Sequence, residues 1–219
     1  MARRRVNKRL LLILVCGFIV LLGPSWAHWQ TKIRQRDPSP YMLEANQLID
    51  QKQYRRAIGY YNQARKWAGR RGDTDMEIEA LVQMSKALPH LDVEGAVLIA
   101  IKRLDQAVIK DPNSIKANKA RLEMQFEIYQ ENLYSLRDWE ELRQSADNVI
   151  KAIKSHPDEK FEEDNARAHY LRGLAMLRVI GIQAGMTDQE QLTDIEGALD
   201  FFVKAWQYQP SSADRKSVV

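Results

Sequence analysis

The sequence predicts an all-α chain built from repeated helix pairs, and three observations carry that reading. The first is a spacing that returns four times: a small residue, a bulky apolar residue four later, then Ala three later. Ala100, Leu104 and Ala107 show it, as do Ser145, Val149 and Ala152, then Ala198, Phe202 and Ala205, and also Ala57, Tyr61 and Ala64. Offsets of three and four place the three side chains on one face of a helix. Pro112, Pro157 and Pro210 stand five residues after the last Ala in three cases, and Gly69 takes that place in the fourth. Pro ends a helix because it offers no N–H and its ring clashes with the preceding turn. Second, apolar–polar alternation of period two, the mark of a half-buried strand, is absent over any useful window. Third, 45% apolar and 28% charged residues are the composition of a folded chain. A helix that recurs in this way marks a helical repeat protein, which points to binding surfaces and away from catalysis.

Residues 1–29 form a basic region followed by an apolar segment. Arg3, Arg4, Arg5, Lys8 and Arg9 precede an uncharged run from Leu10 to Leu22, and Trp26 and Trp29 follow it. The run alone reaches about 20 Å as a helix, short of a hydrocarbon core of roughly 30 Å, which suits a signal peptide cleaved near Ala27. Extended to Trp29 it does span, with the two Trp at the far interface. The leading expectation is a single-pass membrane protein with a cytoplasmic N-terminus and an extracytoplasmic repeat domain in the cell envelope. A secreted or periplasmic protein is the alternative, and a buried core helix the bland one. Cys16, the single cysteine, lies in this run and lacks the small neighbour of a lipidated Cys.

The net charge of +4 belongs to that region. Without its five cations the chain has 28 basic against 29 acidic residues, so no basic face announces nucleic acid.

Residues 30–40 read as a polar linker, with Ser39 capping a helix whose first turn holds Pro40. The repeat domain is then expected over 41–213, with units at about 38–72, 73–113, 114–157 and 158–212. The first pair is 41–51 and 54–68, closed by a turn over Gly69 to Gly72. The second is about 75–88 and 93–110, capped by Asp73 or Thr74. Its run from Ala96 to Ile101 is apolar all round and predicts the most buried helix of the chain. The third is about 114–133 and 139–155. The fourth is about 163–184 and 189–208, with Thr187 or Asp188 as cap and Glu190 beside it. Residues 214–219 resemble a translated sequencing adapter, so the natural frame is expected to continue past about Ala213; a short natural tail is the alternative.

These pairs resemble tetratricopeptide repeats. The fourth unit matches best, through His169, Tyr170, Leu171, Gly173 and Ala175 in its first helix and Ile195, Ala198, Phe202, Ala205 and Pro210 in its second. The first unit matches through Tyr41, Ala45, Leu48, Tyr54, Ala57, Tyr61 and Ala64. The family period is 34 residues. Here Pro112 to Pro157 is 45 and Pro157 to Pro210 is 53 residues, so the later units are enlarged. The resemblance implies a right-handed α-solenoid of about four divergent pairs, preceded by the N-terminal hydrophobic helix. It also implies a ligand surface on the concave side formed by the first helices, here Met42, Asn46, Lys116, Lys119, Glu123, Arg167, Tyr170 and Leu174. The implied partner is a protein or peptide. The carboxylate clamp of the family's chaperone-binding members is not in register: Asn46 matches one member, but Met42 stands where a Lys is wanted.

No catalytic pattern is present. His28, His90, His156 and His169 lack metal-ligand spacing, and there is no nucleophile elbow, phosphate loop or nucleotide fingerprint. Each His reads as a surface or cap residue, the acidic stretch from Asp158 to Asp164 as a solvated loop, and Tyr54, Tyr60, Tyr61, Trp67, Trp139 and Trp206 as packing residues. The expectation is therefore a non-enzymatic interaction scaffold of the cell envelope, membrane-anchored or exported, with no cofactor, metal or small-molecule substrate. The alternative is the N-terminal docking arm of a larger envelope enzyme or secretion component.

Overall fold

The second-helix seams decide the packing. Ala57, Tyr61 and Ala64, then Ala100, Leu104 and Ala107, then Ser145, Val149 and Ala152 are all buried, as are Ala198 and Ala205. A small residue on either side of a bulky one lets the neighbouring helix approach closely while the bulky side chain fills the gap. The computed structural model describes residues 37–131, 135–157, 161–182 and 187–207. Among these, the helices are α1 (Ser39–Asp50), α2 (Tyr54–Arg71), α3 (Thr74–Ala87), α4 (Ala96–Lys110), α5 (Ile115–Glu131), α6 (Leu136–Lys154), α7 (Glu162–Ile182) and α8 (Asp188–Gln207), and no strand occurs. A 3-10 turn over Leu88–His90, holding Pro89, follows α3.

Each helix packs against the next, and α3 also touches α5, as α5 touches α7. The first helices of the second, third and fourth pairs thus form an adjoining row, as a stack of helix pairs requires. Pairs are antiparallel: Arg71 at the end of α2 reaches Asp37 before α1 at 3.4 Å, and Lys110 at the end of α4 reaches Glu77 at the start of α3 at 3.0 Å. Two apolar cores result. One joins α1 to α4 with Ala117, Ala120 and Met124 of α5. The other joins Leu122 and Phe126 of α5 with α6 and α7. Helix α5 belongs to both.

Local signals set the helix ends. Asp73 caps α3, accepting from the Met76 N–H at 3.0 Å. Thr187 and Glu190 form the expected box before α8, the Thr187 N–H donating to Glu190 at 2.9 Å. Ser135 does the same with Asp138 at 2.9 Å, so α6 starts at Leu136, three residues before the expected 139. Helix α1 begins at Ser39, after Pro38. The expected turn over Gly69 to Gly72 is corrected: α2 runs through Gly69 to Arg71 and stops at Gly72, whose φ is +76°. That left-handed conformation costs an L side chain energy. We expect Gly72→Ala to lower stability by about 1 kcal/mol in urea unfolding, by backbone strain alone, since a Cβ there meets nothing within 4 Å.

Three further expectations are corrected. Helix α4 is not the most buried: Leu98 and Ile109 are 63% and 78% exposed, because α3 and α5 cover only one side of it. Trp206, expected as a packing residue, is 64% exposed. The single-pass membrane reading is also overturned. Among the described residues no helix is long and apolar enough to cross a membrane. Even the longest, α7, carries Glu162, Glu163, Asp164, Arg167, Arg172 and Arg178 along its length. The run from Leu10 to Leu22, His28, the linker up to residue 36 and residues 208–219 lie outside the described residues.

Candidate functional site

The row of first helices builds a grooved surface. On α5, positions 116, 119, 120 and 123 share a face by the three-and-four rule, and that face looks along α3 on one side and α7 on the other. A hollow of about 710 Å³ lies between α3, α5 and the start of α7, over Ile78, Val82, Ala120 and Phe161. A second of about 670 Å³ lies between α5, α7 and α8, walled by Arg167, Tyr170, Phe202 and Trp206. Both include Lys119, Glu123 and Asp164, so the two hollows share a wall.

Charges along this wall are paired across helices. Lys116 of α5 meets Glu79 of α3, and Lys119 meets Asp164 of α7. Burial pushes the Glu79 carboxyl up, but hydrogen bonds from Lys116 and Gln83 outweigh it and hold its pKa below the usual value. Burial likewise pulls the Lys119 ammonium down, and the Asp164 bond and charge raise it above its ordinary value. Both Lys are therefore engaged cations. Arg167 differs: its guanidinium lies over the Phe126 ring at 5.1 Å and near the Tyr170 ring at 5.9 Å. Tyr170 in turn tilts against Phe202 at 5.7 Å. This exposed Arg–Tyr pair beside Phe202 and Trp206 is an aromatic ledge with a cation on it, a composition suited to protein contacts.

The eight residues of the implied concave surface divide. Lys116, Lys119, Glu123, Arg167 and Tyr170 come together on the two hollows. Met42 does not belong: it is buried in the first core, since the side of α1 that carries it faces inward. Leu174 is half-buried against the second core. Asn46 is exposed but lies on the first pair, where its Oδ1 accepts from the Tyr61 hydroxyl at 2.7 Å. Burial, with Glu79 and Asp50 nearby, pushes that hydroxyl up to about 12.

Residues missed at the sequence level complete the surface. Asp164 stands in α7 rather than in the expected acidic loop; residues 158–160 lie outside the described residues. Glu79, Phe161, Phe202 and Trp206 were also unassigned to it. The signal for the ion pairs was available, because 79 to 116 and 119 to 164 are each about one repeat apart. Of the histidines, His156 caps the end of α6 through the Ala152 carbonyl at 2.9 Å, and exposed His90 stacks on Tyr54 with centroids at 4.5 Å. His169 is corrected: it is buried, stacked on Phe201 at 5.6 Å. Among the described residues no group of three or more His, Cys, Asp or Glu side chains could hold a metal ion.

Comparison with protein-family models and with curated proteins finds no match. Among solved structures, the chain is similar to "MamA RS-1 ArsTM double mutant", at 18% identity and a TM-score of 0.45, covering 78% of this chain and 93% of that one. It is also similar to "MamA 41-end from Desulfovibrio magneticus RS-1", at 19% identity and a TM-score of 0.43, covering 78% and 94%. The architecture given above rests on the helix packing of this chain itself.

Proposed function

We propose that this chain is a non-catalytic protein-interaction scaffold that holds a segment of a partner protein against the α3–α5–α7 row. The observation that carries this reading is the pair of adjoining hollows, which share Lys119, Glu123 and Asp164 and end on the Arg167–Tyr170 ledge. The resemblance to tetratricopeptide repeats, with ligands on the first helices, supports the same surface. Each helix pair holds its neighbours, so the surface is preformed and little ordering cost falls on the scaffold when it binds. Interspersed charges of both signs over apolar floors suit a peptide with alternating polar and apolar side chains.

Arg167 and Tyr170 are the residues to test, because reversing Lys116 or Lys119 would strand Glu79 or Asp164 without its counter-charge. Random-peptide phage selection on the immobilised full chain, with an Arg167→Glu/Tyr170→Ala chain as counter-target, is the measurement. We expect enriched peptides to bind the double variant more than tenfold more weakly while its circular dichroism is unchanged. Equal binding to both chains would remove the ledge from the site.

A further inference from the structure

Helix α8 carries an apolar stripe on its outer side. Leu192, Ile195, Leu199, Val203 and Trp206 recur at offsets of three and four, and their exposures run from 37% to 64%. Scattered exposed apolar residues are ordinary, but five in register along one helix are a docking pattern.

The third unit shows what covers such a stripe. A shift of 53 residues, the spacing of Pro157 and Pro210, lays α6 on α8. The seam residues Ser145, Val149 and Ala152 then fall on Ala198, Phe202 and Ala205. The same shift lays Trp139, Leu142, Ala146, Ile150 and Ile153 on Leu192, Ile195, Leu199, Val203 and Trp206. In α6 the first four of these are buried and the fifth half-buried in the core that α6 shares with α5 and α7. Asp147, also on α6, takes the Arg172 guanidinium of α7, and its counterpart on α8 is Asp200. The second unit has an Asp–Arg pair at another register position: Asp105, next to the seam Leu104 of α4, takes Arg121 of α5, with Nε at 2.6 Å. Each covering helix thus brings an Arg to an Asp beside the apolar seam. On α8, among the described residues, the ion pair of Asp200 is made to the half-buried Lys204 of its own helix, at 2.6 Å.

We propose that the outer stripe of α8 is a second docking face, for an amphipathic helix of a partner protein that carries an Arg beside its apolar stripe. That helix lies on α8 as α7 lies on α6, its Arg on Asp200. Charge selects against a second copy of α8. This helix bears Asp188, Glu190, Asp194, Glu196 and Asp200 against Lys204 alone, so two copies face to face would repel. An amphipathic helix without that excess of acids meets no such penalty.

Peptide 162–182 of this chain is the probe, since it already performs this role on α6. Its fluorescein-labelled form is titrated with the full chain and followed by anisotropy. We expect saturable binding that weakens at least tenfold on Leu199→Glu, an exposed position where the fold tolerates the charge. Asp200→Lys should weaken it about fivefold, and the Arg172→Glu peptide should recover that loss. The groove variant Arg167→Glu should bind the probe as the unaltered chain does, which separates this face from the proposed groove although Trp206 borders both. No saturable binding, or equal binding to Leu199→Glu, would overturn the proposal. So would sedimentation showing a dimer of the full chain that Leu199→Glu dissolves, because the occupant would then be a second copy.

Discussion

Leu142→Ala should destabilise the protein by about 3 kcal/mol, and it should do so unevenly. Leu142 is fully buried in the core formed by α5, α6 and α7. Truncating a buried Leu loses its transfer energy and leaves a cavity that the helices close only in part. Stability in stacked repeats is a sum of unit and neighbour terms, so the loss is concentrated around its site. Native-state hydrogen exchange checks this. Amides of α6 and α7 should lose about a hundredfold in protection, the factor that 3 kcal/mol corresponds to. Amides of α1 to α3, whose core lies on the other side of α5, should lose much less. A uniform loss over all helices would show that the two cores unfold as one unit.

Acidification should destabilise the chain through His169. Burial lowers its pKa, and the cations Lys204, Lys154 and Arg172 lower it further, to about 4, with Asp200 opposing them. The unfolded chain keeps the ordinary value of about 6.5 and therefore binds more protons between the two values. Stability thus rises with pH across this window, is fully present above about 6.5, and is lost as pH falls towards 4. The effect is on the order of 2–3 kcal/mol. Urea midpoints of the native chain and of His169→Gln, taken from about pH 7 to pH 4, isolate it. The native chain should lose this amount beyond what the variant loses. Parallel pH curves would mean that His169 is charged in the folded state.

The second helices were legible because each carries its own rule. Ala100, Leu104 and Ala107 sit three and four apart and meet a neighbour along one face, so spacing alone finds them. The Thr187–Glu190 box was equally local. The ledge was less legible. Arg167 and Tyr170 came from the resemblance, while Phe202 and Trp206, which wall the same hollow, belong to a different helix. Trp206 follows the seam Ala205 by one residue, and one residue turns a side chain by about 100° on a helix. It therefore faces outward although its composition suggested packing.

By itself the sequence determined that this chain forms helix pairs, where most of them end, and which face of each second helix is buried. Helix period, capping and Pro punctuation are short-range effects, complete within a few residues. Only the tertiary structure decided which first-helix residues reach the surface. A first helix touches its own pair, the preceding unit and the next first helix, so its burial depends on neighbours many residues away. That is why Met42 and Leu174 turn inward while Lys119 finds Asp164 across 45 positions. It is also why the stripe on α8 acquires its meaning only beside α6, whose matching stripe another helix covers.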